Sequence, residues 1–172
     1  MLKKTGLVFL PISLLAFALD LISKYFIVTH FHLFESVKIL PIFNLTYVRN
    51  YGAAFSFLAD HSGWQKYLFV VLALGISCGL LYFLWKNNVN KKLQNSAYAL
   101  VIGGALANCC DRLYNGFVVD FLDFHWKGWH YPVFNVADMA ICVGAGLLIL
   151  DSFRENKKAN IKANTKESNN KE

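Results

Sequence analysis

Four stretches of apolar side chains, interrupted by polar residues at only a few places, set the frame of this chain. A helix needs about 20 residues to cross the hydrocarbon core of a bilayer. The first stretch, residues 6–29, is broken only by Asp20 and Lys24; the second, 67–86, carries no charge before Lys86. The third, 94–113, contains Gly103, Gly104 and Ala105, and the fourth, 133–153, contains Gly144 and Gly146. Small residues of this kind let helices approach closely in lipid. The pattern predicts a mainly α, polytopic membrane protein: a four-transmembrane-helix bundle forming a single domain over residues 1–153.

Between the first two stretches, residues 37–48 are rich in Ile, Phe, Val, Thr and Tyr and are followed by Asn50 and Gly52. This composition predicts a small strand-forming cap, with Pro41 at an edge or a bulge. Residues 114–132 read as a loop that opens on an Asn115-Gly116 turn and presents Trp126, Trp129 and Tyr131, aromatics suited to a membrane interface. Residues 154–172, rich in Lys, Asn and Glu, predict a disordered basic tail without a catalytic role. The first stretch has a basic start but no small-residue cleavage site, which argues against a removable leader.

Composition sharpens the class. At 172 residues and 56% hydrophobic, the chain is too apolar for an ordinary soluble domain. Its +6 charge lies around the apolar runs and in the tail, not on an aromatic-interleaved patch, which excludes nucleic acid as the natural partner. Eleven of the seventeen Lys and Arg residues fall on the side of the termini and the 86–92 loop, so both termini are expected in the cytoplasm and the cap on the outer face. Cys78, Cys109, Cys110 and Cys142 fall in apolar runs and read as small core hydrophobes. The five histidines lie outside the runs without ligand spacing, so no metal and no cofactor is expected.

The chemistry is in the carboxylates. An ionised carboxylate in hydrocarbon costs roughly 2.5 to 3.5 kcal/mol even on lenient insertion scales, so a carboxylate there marks a functional candidate. On the predicted topology Asp20, Lys24, Asp111, Arg112 and Asp138 all converge near the outer ends of their helices, with Asp120 and Asp123 in the loop beside them. Asp20 and Lys24, at i and i+4, share a helix face and can pair. Two carboxyls held close in a low-dielectric pocket share one proton, and such a pair activates water for peptide hydrolysis without a metal or a covalent nucleophile. Spacing leaves open whether Asp111, Asp120 or Asp123 faces Asp138. Asp111 can instead pair with Arg112 at the helix end, and Asp123 can be an ordinary interfacial carboxylate. Asp120 is flanked by Val119 and Phe121, surroundings that raise a carboxyl pKa.

Five ordered blocks carry a family resemblance: Asp20-Leu21-Ile22-Ser23-Lys24, Asn50-Tyr51-Gly52-Ala53-Ala54-Phe55-Ser56, Gly103-Gly104-Ala105-Leu106-Ala107-Asn108-Cys109-Cys110-Asp111-Arg112, Val118-Val119-Asp120-Phe121 and Phe134-Asn135-Val136-Ala137-Asp138. Together they resemble the lipoprotein signal peptidases, or signal peptidase II, aspartic endopeptidases of bacterial lipoprotein maturation. The resemblance implies Asp120 and Asp138 as the catalytic pair. It implies substrate-binding or orienting roles for Asn50, Gly52, Asn108, Arg112 and Asn135, and architectural roles for Asp20, Lys24 and Asp111. The implied substrate is a prolipoprotein, cut just before a cysteine bearing diacylglycerol at the outer face of the inner membrane, with membrane lipids and globomycin-type peptide inhibitors as further partners. The 50–55 loop is expected to close over the substrate. Two positions depart from the family pattern: Ala107 replaces a usual Gly, and Leu21 a frequent Gln. A small proton- or cation-coupled transporter, or a non-enzymatic assembly factor with Asp and Arg gluing helices together, are the rival readings. No internal repeat of the kind common in transporters is present.

Overall fold

In the computed structural model, which describes residues 5–52 and 64–169, the apolar stretches become helices α1 (Leu10–His30), α2 (Gln65–Lys86), α3 (Lys92–Tyr114) and α4 (Val136–Asn169). A short 3-10 turn, Gly6–Phe9, precedes α1, and Pro11 occupies its first turn, where a missing N–H costs nothing. Among the described residues three helices, including α1 with its leading turn, are long and apolar enough to cross a membrane: Gly6–His30, Gln65–Lys86 and Val136–Lys157. α3 is the least apolar of the four spans expected from the sequence, because Asn95, Asn108, Asp111 and Arg112 punctuate it.

The burial pattern is that of an inverted protein. On α1 the buried residues Ser13, Ala16, Asp20, Lys24 and Ile27 follow a three-four spacing, one helical stripe facing inward. The apolar side chains Leu14, Leu15, Ile22 and Tyr25 point outward. Charge is inside and hydrocarbon outside, the arrangement a lipid solvent selects. α3 is the central helix and packs against α1, α2 and α4. The expected small-residue contacts are present: Gly103 lies against the Ser13 backbone of α1, Gly104 against the Ala137 carbonyl of α4, and Gly144 against Ala97 and Val101 of α3. Gly146, by contrast, faces open space. Ala107 is fully buried, so its extra methyl is accommodated in the packing.

At one end of the bundle sits a four-stranded antiparallel sheet in the order β1 (Ser36–Leu40), β2 (Phe43–Asn50), β3 (Val118–Trp126) and β4 (Trp129–His130). Two corrections arise here. Pro41 lies in the turn between β1 and β2, where no ladder hydrogen bond is asked of it, and the register shift falls just before it between Lys38 and Leu40. Residues 118–130, which read from sequence as part of a loop, form a strand and a hairpin. Asn115-Gly116 does turn the chain, with Gly116 at φ +79, and the hairpin turn holds Lys127 at φ +49 and Gly128 at φ +83. Positive φ at both central residues matches the right-handed twist of the strands. Tyr47, Val119 and Phe121 pack with Ile27 of α1 into a small core that fixes the sheet over the bundle.

At the other end, Gly6 N–H donates to Asn87 O at 3.0 Å, tying the N-terminal turn to the α2–α3 connection. Buried Asn95 accepts from Asn87 there and donates to Asn88 O. The first turn of α1 and the basic 86–92 segment therefore share one end of the molecule. Three further expectations change. α4 continues as a helix past 153, into residues expected to be disordered, since their Ala, Lys and Glu are good helix formers. Of the cysteines only Cys109 is buried; Cys110 is half-buried, while Cys78 and Cys142 lie on exposed apolar helix faces. His30, expected outside the spans, is the last residue of α1.

Candidate active site

The sheet end of the bundle gathers the residues singled out by their chemistry. The start of α4 is built by a reciprocal cap: Asp138 N–H donates to Asn135 Oδ1 at 2.9 Å, and Asn135 N–H donates to Asp138 Oδ2 at 3.3 Å. This is a capping box, in which an Asn and an acid three residues on satisfy each other's backbone donors. Asp20 of α1 takes another donor of that helix start, Ala137 N–H, at 2.7 Å. Asp138 is thus seated at the positive end of a helix dipole.

Asp120 arrives from β3. Its carboxyl accepts from Asn135 Nδ2 at 2.7 Å and from Asn50 Nδ2, at the end of β2, at 3.0 Å. Asn135 therefore touches both aspartates, one through its side chain and the other through its backbone and amide oxygen. Asn108 of α3 completes the ring: its Nδ2 donates to Asp138 Oδ1 at 2.8 Å, and its Oδ1 accepts from Asn135 Nδ2 at 3.2 Å. Asp120 is only 2% exposed. Burial, aided by the charge of Asp138, pushes its pKa up from the ordinary value to about 7. Hydrogen bonds from Asn50 and Asn135 pull the other way without cancelling that rise.

The remaining acids have other employment. Asp111 does not pair with Arg112: its Oδ2 binds Lys24 Nζ at 2.9 Å and accepts from Val119 N–H at 3.1 Å, joining α1, α3 and β3 immediately beside Asp120. Lys24 also binds Asp20 at 2.6 Å, the expected i, i+4 pair. Asp123, an odd number of residues from Asp120 on the same strand, projects from the opposite face of β3. It is buried and accepts from Asn44, Thr46 and His130 at 3.3, 2.9 and 2.7 Å. Burial pushes its pKa up, but these hydrogen bonds outweigh that and hold it below the usual carboxylate value. This staple across β2, β3 and β4 is hidden while 114–132 reads as a loop; the apolar-polar alternation of Leu122-Asp123-Phe124-His125-Trp126 is the signal that reveals it.

Arg112 ties α3 to the segment that follows β2. Its Nη2 donates to Gly52 O at 2.9 Å and its Nη1 to Asn108 O at 3.2 Å, with the guanidinium 5.1 Å from the Phe69 ring centre. Asn50 Oδ1 accepts from Gly52 N–H at 3.0 Å, which orients the side chain so that its Nδ2 meets Asp120. Residues 53–56 of the second sequence block, and with them half of the expected 50–55 closing loop, lie outside the described residues. No cluster able to hold a metal ion occurs among the described residues.

Residues 12–154 match the family described as Signal peptidase (SPase) II. The chain belongs to the signal peptidase II family. It is 68% identical over 158 residues to a lipoprotein signal peptidase of Haemophilus influenzae, covering 92% of each chain. A lipoprotein signal peptidase of Pasteurella multocida is 69% identical over 152 residues, covering 88% of this chain and 92% of its own. Among solved structures, a bacterial membrane enzyme determined by the in meso method at 2.3 Å resolution superposes with a TM-score of 0.81 at 31% identity, covering 92% of this chain and 95% of that one. Membership in the signal peptidase II family makes the chain a protease and displaces the transporter and assembly-factor readings. Its apolar helices fit a multi-pass protein of the bacterial inner membrane.

Proposed function

We propose that this signal peptidase II family member is an aspartic endopeptidase that removes the signal peptide of prolipoproteins by cutting just before a diacylglyceryl-modified cysteine. The observation that carries the reading is the joint suspension of Asp120 and Asp138 from Asn135, with the proton affinity of Asp120 raised. In this reading Asp120 enters protonated and Asp138 ionised, at the helix N-terminus that favours an anion. Asp138 takes a proton from the attacking water as its oxygen bonds to the scissile carbonyl carbon. Asp120 protonates the carbonyl oxygen. The tetrahedral diol then collapses: Asp138 returns its proton to the leaving nitrogen, the C–N bond breaks, and a diol hydroxyl proton passes back to Asp120. Asn50 and Asn135 hold Asp120, Asn108 holds Asp138, and Arg112 with Gly52 shapes the substrate's backbone groove.

The same reading takes α3 as the fourth span, its polar residues satisfied by α1 and α4, by β3 and Gly52 at the sheet end, and by the α2–α3 connection at the other. Both termini are cytoplasmic and the sheet lies on the outer face, over residues 1–153 as one domain with a basic extension beyond. A lipid-bearing substrate enters laterally, and globomycin-type peptides occupy the same groove. The deciding experiment gives the purified protein in detergent a prolipoprotein with and without its diacylglyceryl group. Cleavage of the lipidated form alone is expected; equal cleavage of both removes lipid recognition from the proposal.

The pH dependence follows from the shared proton. As pH rises through about 7, Asp120 loses the proton that polarises the carbonyl, so kcat is expected to fall about tenfold per unit above that point. Below it Asp120 keeps that proton and the rate holds. A rate that climbs steadily from about pH 6 to about pH 9, on either side of that point, would show that no carboxyl of raised pKa limits catalysis.

A further inference from the structure

Lys24 lies behind the carboxylate pair, buried on α1, and directs its ammonium to three groups: Asp20 Oδ2 at 2.6 Å, Asp111 Oδ2 at 2.9 Å and Asn108 Oδ1 at 2.9 Å. An ammonium donates three hydrogen bonds and accepts none. Asn108 Oδ1 therefore faces two donors, Lys24 Nζ and Asn135 Nδ2. Turning the Asn108 amide over would set its NH2 against both and turn its oxygen toward Asp138 Oδ1. Lys24 makes that orientation untenable. We infer that Lys24 is a positioning residue which locks the Asn108 amide so that Nδ2, not Oδ1, is presented to Asp138.

The consequence reaches the chemistry, and it rests on the aspartic-peptidase reading above. With Nδ2 as its neighbour, Asp138 Oδ1 must act as an acceptor, which favours the ionised form that takes the proton from water. With the amide reversed, Oδ1 would face an oxygen and could keep that contact only by holding a proton itself. The hydrogen-bonded series Lys24, Asn108, Asp138 is also polarised in one sense by the ammonium, and each link strengthens the next in a low-dielectric interior. Asp20 and Asp111 serve here as the counter-charges that keep Lys24 tolerable in a buried site.

The test is a double-mutant cycle in the full-length protein, with cleavage of the lipidated prolipoprotein and thermal unfolding both measured. Lys24→Gln is paired with Asp20→Asn, which keeps the net charge of the buried cluster and offers Asn108 a side chain that can donate or accept. That variant is expected to lose about tenfold or more in kcat with KM within about twofold. Adding Asn108→Ala should bring no further loss beyond Asn108→Ala alone, because both changes remove the same contact to Asp138. Multiplying losses, or a parental kcat in the Lys24 variant, would overturn the inference. Should that variant fail to unfold cooperatively, Lys24→Arg decides: a guanidinium is likewise a donor without an acceptor, so retention of kcat within about threefold supports the lock. A folded Lys24→Arg protein that loses turnover contradicts it. If the parent protein cleaves nothing, the peptidase reading fails and not the role of Lys24 within it.

Discussion

Asp120→Asn and Asp138→Asn are each expected to reduce turnover by about 10³-fold or more, and the double variant to be scarcely slower than either alone. The loss comes from the proton, since an amide of the same shape can neither take one from water nor return one to the leaving nitrogen. Members of a unit that exchanges one proton fail together. The geometry adds a second cost. Both oxygens of Asp120 accept hydrogen bonds, from Asn135 Nδ2 and Asn50 Nδ2, so an amide in place of that carboxyl must turn its NH2 toward one donor or the other. Asp138 is in the same position between Asn108 Nδ2 and Asn135 N–H. Each variant should therefore also lose about 1 to 3 kcal/mol from a buried polar group left facing the wrong partner. Single-turnover cleavage beside a thermal melt separates the two effects. A folded variant that keeps near-parental turnover takes that aspartate out of the pair.

What is legible in the sequence depends on the length scale of each signal. Apolar runs of bilayer length name the helices. The i, i+4 spacing of Asp20 and Lys24 names their ion pair, and glycines in apolar runs name the α3 contacts. Pairings between distant segments are not readable in this way. Spacing leaves Asp111, Asp120 and Asp123 as candidates beside Asp138, because what separates them is the partner each meets and, for the two on β3, the face each occupies. Family resemblance singles out Asp120, and the observed strand gives a physical reason: Asp123 projects away and Asp111 is engaged by Lys24 and Val119. The strand itself is obscured by its aromatics, which read equally well as an interfacial loop, and by a partner, β2, about seventy residues earlier. α3 is the instructive case among the helices. Its polar residues lower its apolar character because it is the helix surrounded by the others, so the element least like a span by composition carries Asn108, Asp111 and Arg112.

That central position makes Gly104→Ala the substitution expected to do most damage for its size. A Cβ at 104 would run into the Ala137 carbonyl oxygen and lie 2.9 Å from Ile141 Cγ1. The side chain of Ile141 can turn, but the Ala137 carbonyl is backbone and can yield only if the first turn of α4 moves. Ala137 is held by Asp20 through its N–H and is followed directly by Asp138. Relief of the overlap therefore shifts the Asp138 carboxyl or breaks the cap that seats it. Overpacking of this kind costs about 1 to 3 kcal/mol. A displacement of about 1 Å at a reacting group costs on the order of 100-fold in rate. Gly104→Ala is expected to show both, with kcat falling further than KM changes, because Arg112 and Gly52, to which we assign the substrate's backbone, are not built on the first turn of α4. Gly146→Ala is the matched control on α4: nothing lies within 4 Å of its would-be Cβ, so it should keep parental turnover and gain about 0.5 to 1 kcal/mol from helix propensity. Equal behaviour of the two variants would mean that the α3–α4 contact is looser than the packing at Gly104 requires, and that Asp138 is positioned by its hydrogen bonds alone.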